Sequence, residues 1–148
     1  MKPGTFLKSI TSPDSDFFDG AIVFIATHGE TGTTGFVINR MFHRRFNELA
    51  EFNQYNPFPM YEGGPVQVEQ LFMLHCRPDL ITGGRFLANG IYLGGNFKDA
   101  IDLLNTDIIT NKDLKLFVGY CGWDKGELEQ ELEDGGWTVI SQADAFVL

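Results

Sequence analysis

The residues best suited to chemistry are a pair of imidazoles and a pair of thiols. His28 closes the apolar run AIVFIAT, His75 closes QLFML, and Cys76 directly follows the second histidine. If the ends of those runs converge, both imidazoles would line one cleft with Cys76, Asn39 and Arg40. Such a set can move protons near neutral pH or hold a polar small molecule. The competing reading makes each histidine a hydrogen-bonded structural residue at a strand end. HGETGTTG, His28–Gly35, carries three glycines and three threonines after a buried run. Its backbone amides, with Thr31, Thr33 and Thr34, would suit a small anion. A P-loop needs lysine followed by Ser or Thr, and a dinucleotide fingerprint needs its own glycine spacing; neither fits, and glycines equally serve a connection between strands. EGGPV adds Gly63 and Gly64. The candidate pocket is therefore His28, Thr31, Thr33, Thr34, Asn39, Arg40, Gly63, Gly64, His75 and Cys76. No residue is assigned a catalytic role.

Other chemistries find less support. His28, His75, Cys76 and Cys121 include a possible zinc set, but the paired spacings of zinc sites are missing, and no metal or cofactor is expected. Ser9, Ser12, Ser15 and Ser141 sit outside any G-x-S-x-G elbow. Cys121 lies in VGYCGWDKGELEQELEDGGW, Val118–Trp137, just ahead of a helix start that would lower a thiol pKa. Six acids against the single Lys125 in that stretch push the other way. A buried structural thiol is the simpler reading, with a thiol sensor at Cys76 or Cys121 as the alternative.

The whole chain limits the partners. Its 148 residues suit one domain, 1–148, large enough to build a core without disulfide staples. Two cysteines make no disulfide framework. A formal charge of −9 opposes the phosphate neutralisation on which nucleic-acid binding relies. Arg40, His43, Arg44 and Arg45 form a local basic exception, readable as a solvated turn and helix start, or as a dock for an acidic partner or for a patch on another copy of this chain. The longest apolar run, Ala21–Ala26, falls far short of the roughly 20 residues of a membrane span. MKPGTFLKSI lacks the apolar core of a signal peptide, so a cytoplasmic location with no membrane association is expected.

The elements that must position these groups follow from hydrophobic period and punctuation. GTFLKSI reads as a first strand, closed by SPDSD. AIVFIAT is apolar on both faces, as a central strand is; GFVINR is the next. Phe46, Leu49 and Ala50 predict a short amphipathic helix over FNELAEF, and NPFPMYEGGP should be irregular. QLFMLHC is a strand. Asn89-Gly90 between RFLA and IYLG signals a hairpin. Asn96 caps a helix whose face is Phe97, Ala100, Ile101 and Leu104. KLFVGYC is a buried strand, and WTVISQ closes the sheet. Between them, Asp124 and Glu127 predict a capping box, Gly135-Gly136 a helix end, and Glu129, Glu131 and Glu133 a solvent face. Gly119 and Gly122 would allow close backbone approach.

Taken together, GYCGWDKGELEQEL with its following tryptophan, THGETGTTGFVINR, YEGGPV and LFMLH resemble the YqgE/AlgH family of small bacterial proteins from Gly4 to Trp137. Cys121 stands where the family pattern has alanine, Glu127 where it has glutamine, and Met41 where it has proline. The resemblance implies an α+β single domain: a mixed, largely antiparallel sheet curled into a partial barrel with flanking helices. It also implies a role in transcriptional control, because one branch is described as a regulator of alginate production. The family brings no settled catalytic residues, and a position that tolerates alanine cannot be a shared nucleophile. With the acidic charge, this points to a non-catalytic regulator acting through a protein or small-ligand partner. The alternative is a small-molecule enzyme or thiol sensor using a His28/His75/Cys76 cleft.

Overall fold

The computed structural model describes residues 1–10 and 20–141; the SPDSD connection lies outside them. In chain order the strands are β1 (Phe6–Ser9), β2 (Ile22–Gly29), β3 (Gly32–Val37), β4 (Met60–Glu62), β5 (Val66–His75), β6 (Arg85–Ala88), β7 (Ile91–Leu93), β8 (Leu114–Trp123) and β9 (Trp137–Ile140). The α-helices are α1 (Phe97–Asn105) and α2 (Glu127–Glu133). One sheet runs β6-β7-β5-β8-β3-β2-β1-β9, with β4 attached to β8. The β4–β8 pair is parallel, and the other pairings among the described residues are antiparallel. The outer strands β6 and β9 both line one open cleft of about 530 Å³, together with residues 2–6. The sheet therefore curls until its edges face one another without closing.

Among the described residues, side-chain alternation fills three cores. Phe6, Phe24, Phe36, Leu74, Leu87, Ile91 and Phe117 meet inside the curl. Leu7, Val23, Ile25 and Val37, their neighbours of opposite parity, pack outside with Cys121, Trp123 and Trp137 under Leu128 of α2. The third core sets Leu114, Leu116 and Val118 of β8 against Ala100, Ile101 and Leu104 of α1. Each fully buried phenylalanine of the inner core is worth up to about 3 kcal/mol of transfer from water.

Strand β8 serves all three cores because it changes parity. Phe117 points into the curl, and so does Tyr120, three residues on. At strict alternation those two would face opposite ways. The switch lies at Gly119, whose φ of +72° is left-handed, as in a glycine bulge. Upstream residues then face α1 and downstream residues face α2.

Several local expectations hold. Asn89 and Gly90 both take positive φ, 53° and 77°, in a two-residue turn between β6 and β7. The Asn96 side chain accepts from Asp99 N–H at 3.0 Å. α2 ends with Gly135 at φ 81° and the paired bonds Gly136 N–H to Glu131 O and Gly135 N–H to Leu132 O.

Others are corrected. FNELAEF forms two 3₁₀ turns, Phe46–Glu48 and Ala50–Phe52, separated by an extended Leu49. The gain is aromatic: Phe46 and Phe52 stack at 4.4 Å. A continuous α-helix would swing those rings about 120° apart, and the extended Leu49 between the turns lets them meet instead. NPFPMYEGGP contains β4, because Met60–Glu62 find partners on β8 beyond the prolines. The cap of α2 is Gly126, not Asp124, although Glu127 does accept Asp124 N–H at 3.3 Å. Glu131 is only half exposed: its Oε1 accepts both indole N–H groups, Trp137 at 2.9 Å and Trp123 at 3.3 Å.

Candidate functional site

The anticipated His28/His75 cleft does not form. His28 pairs across the β2–β3 hairpin with Thr33, and Thr33 pairs with Trp123 at the end of β8. His75 pairs with Leu114 at the start of the same strand. About 30 Å of strand contour separates the two levels at ~3.3 Å per residue. The two apolar runs end at opposite ends of β8 because β5 runs antiparallel to β8, whereas β2, antiparallel to the intervening β3, runs in the same direction as β8. Each imidazole is also occupied locally. His28 Nδ1 lies 2.7 Å from Thr33 Oγ1. His75 is 0% exposed; its Nδ1 accepts Arg77 N–H at 3.1 Å and its Nε2 donates to Gly94 O at 3.0 Å. Burial lowers its pKa from the usual 6.5, against the opposing pull of the Gly94 carbonyl. The ring stacks on Tyr92 at 5.7 Å.

The remaining pocket candidates distribute along the sheet in structural posts. Thr34 Oγ1 bonds Thr27 Oγ1 at 2.5 Å, and Thr31 occupies the exposed hairpin turn. Asn39 brackets the start of β2, accepting Ile22 N–H at 2.9 Å and donating to Gly20 O at 3.0 Å. The Arg40 carbonyl accepts Glu62 N–H at 2.8 Å. Cys76 sits beside His75, its thiol pKa raised first by burial and then by Asp113. Cys121 is 0% exposed, donates to Gly63 O at 3.3 Å, and is pushed up to about 12 by burial. Neither thiol is activated.

Gly63 and Gly64 have a different use. Gly63 N–H donates to Val118 O at 2.9 Å, and its own carbonyl accepts Val37 N–H at 2.8 Å. A Cβ on Gly64 would lie 2.1 Å from the Tyr120 carbonyl carbon, so backbone crosses backbone there. That crossing and the left-handed Gly119 distort the β5–β8 ladder. Its register runs from Val66↔Tyr120 directly to Leu71↔Val118, so four residues of β5 arch over Gly119 alone. Gln67, within the arch, is itself left-handed at φ 50°. Bulges of this kind recur beside binding and active sites, where they re-aim side chains.

Beneath the arch is a groove of about 480 Å³. Its floor is Leu71 and Val118; its walls are Phe42, Leu49, Phe52 and Phe97; Ala50, Glu51, Val68, Glu69 and Gln70 complete it. Val68 is 53% exposed at the lip. The Phe52 and Phe97 rings meet edge to face at 5.9 Å. None of the ten candidate residues read from the sequence lines this groove. The available signal was the Phe42/Phe52 pair flanking the basic turn, together with the acid-and-valine run VQVEQL ahead of an otherwise apolar strand. The described residues hold no group of three His, Cys, Asp or Glu side chains arranged to grip a metal ion. No helix among them is long and apolar enough to cross a membrane. The groove thus sets apolar and aromatic side chains beside the carboxylates of Glu51 and Glu69.

Comparison with known proteins supplies a context for this geometry. A family model described as AlgH-like, DUF179, matches residues 6–148. A UPF0301 protein of Chlorobium limicola is 33% identical over 138 residues, covering 93% of this chain and 73% of that protein. Another, from Chlorobium phaeobacteroides, is 36% identical over 140 residues, covering 94% and 74%. The solution structure of the AlgH protein from Pseudomonas aeruginosa superposes with a TM-score of 0.74 at 25% identity, over 98% of this chain and 80% of that one. A crystal structure of a Corynebacterium diphtheriae protein shares the fold, with a TM-score of 0.73 at 22% identity, over 98% and 79%.

Proposed function

The chain belongs to the AlgH-like family, and from that premise we propose that it is a non-catalytic cytoplasmic regulator of transcription, acting through a protein or small-ligand partner. One observation carries the reading. An apolar, aromatic groove of about 480 Å³ opens beside the β5–β8 bulge, while the imidazoles and thiols are bonded elsewhere. Such a surface binds and does not transform. The charge of −9 turns nucleic acid away and leaves control to an intermediary. The glycine signatures fit the same scheme, since they build the bulge that opens the groove.

Transcript profiling tests this in a strain that lacks the gene and carries either the native chain or Val68→Arg. Val68 stands at the lip, so arginine there blocks the groove without entering a core. The native chain should restore the profile and Val68→Arg should not. Full restoration by Val68→Arg, or a deletion that shifts metabolites while leaving transcripts untouched, would end the proposal.

A further inference from the structure

We propose that the groove under the β5 arch binds a small organic cation, an apolar body ending in an ammonium-type charge. This rests on the reading of the groove as the working surface and adds the chemistry of its occupant. The charged residues in its lining are Glu51 and Glu69, both acids; the basic His43, Arg44 and Arg45 follow Phe42 but lie outside the lining. The remaining wall is chiefly hydrocarbon, with three phenylalanines among it. Aromatic faces attract a cation through their negative π-surface, and a nearby carboxylate adds direct Coulomb attraction. An anion in the same place would meet two like charges. A neutral apolar ligand would gain the hydrocarbon contact alone.

The size agrees with this. About 480 Å³ falls within the roughly 300–1,000 Å³ of small-molecule sites. The site is also constructed by the fold: the four-residue arch, with left-handed Gln67, lifts Glu69 and Val68 to the rim, while Leu71 returns to the floor. An unbroken β5 would pair those residues with β8 and leave no space between the strand and the 3₁₀ turns.

The test is an amide chemical-shift titration of the full chain with three probes of equal length: n-hexylammonium, n-hexanol and n-hexanoate. Hexylammonium should move the amides of Leu49–Phe52, Val68–Leu71 and Phe97 saturably, and should bind more tightly than hexanol, with hexanoate weakest. Glu51→Gln with Glu69→Gln should weaken hexylammonium by about threefold per carboxylate and leave hexanol unchanged, as exposed charge pairs behave. Raising the salt from 20 mM to 500 mM should weaken hexylammonium alone. Hexanoate binding as tightly as hexylammonium, shifts confined to another surface, or an unchanged affinity in the double variant would each overturn the cation assignment. Those results would leave the Val68→Arg complementation outcome standing, so the two readings fail separately.

Discussion

Replacing Gly119 by alanine probes the parity switch on which the layering and the groove depend. A left-handed φ costs an L-residue about 1–2 kcal/mol. The new Cβ would stand 2.3 Å from Gly64 O and 2.9 Å from Val66 O, so backbone must move. The movement strains the bonds Gly63 N–H to Val118 O and Val37 N–H to Gly63 O, each worth about 1 kcal/mol net. Together these give a loss of about 3–4 kcal/mol, a large part of the 5–15 kcal/mol expected for a domain. Gly135→Ala is the control. Its φ is 81°, but nothing lies within 4 Å of the added carbon, so it should lose only the first 1–2 kcal/mol. Urea unfolding of both variants at equal m-value measures the difference. Equal losses would refute the close backbone crossing.

The remaining expectations concern buried and half-buried groups. Glu131→Ala strands two indole N–H donors and should cost about 2–3 kcal/mol with a red-shifted tryptophan emission, whereas Glu131→Gln keeps an acceptor and should cost less; an Ala variant within about 0.5 kcal/mol of native would contradict the bracket. With its thiol pushed up to about 12, Cys121 should react with iodoacetamide at pH 8 only on unfolding, and Cys76 should react first; labelling of native Cys121 at the rate seen in urea would contradict this. Burial lowers the His75 pKa from its usual 6.5 in the folded chain, so the unfolded chain takes up the proton first. Stability from this group is intact above pH 6.5 and is lost as pH falls from there through the folded pKa, at up to about 1.4 kcal/mol per pH unit. His75→Gln should flatten that part of the profile; an unchanged slope would show the imidazole titrates equally in both states.

What was legible in the sequence was what local physics decides. Asn89-Gly90 and Asn96 declare themselves because turn and cap geometry depend on a few neighbouring residues. β2 reads as central because Phe24 and Ala26 face one core while Val23 and Ile25 face another. Long-range effects stayed hidden. β4 follows Pro57 and Pro59, and only its pairing with β8 makes it a strand. Glu131 looks like one more surface acid until α2 folds Trp123 and Trp137 around it. The groove was illegible for the same reason: the arch at Gln67–Gln70 arises from the meeting of Gly64 with Tyr120 and Gly119, more than fifty residues later. His28 and His75 misled because each ends an apolar run, which says nothing about which end of the sheet it reaches.

The most direct test replaces three of the four side chains best suited to chemistry, leaving the buried His75 that the fold itself uses, and asks whether function survives. A chain carrying His28→Asn, Cys76→Ser and Cys121→Ala, confirmed to be folded by its amide spectrum, should restore the transcript profile of the deletion strain as fully as the native chain. A folded triple variant that leaves the profile at the deletion state would place the working chemistry in those groups and remove the groove from the centre of the account.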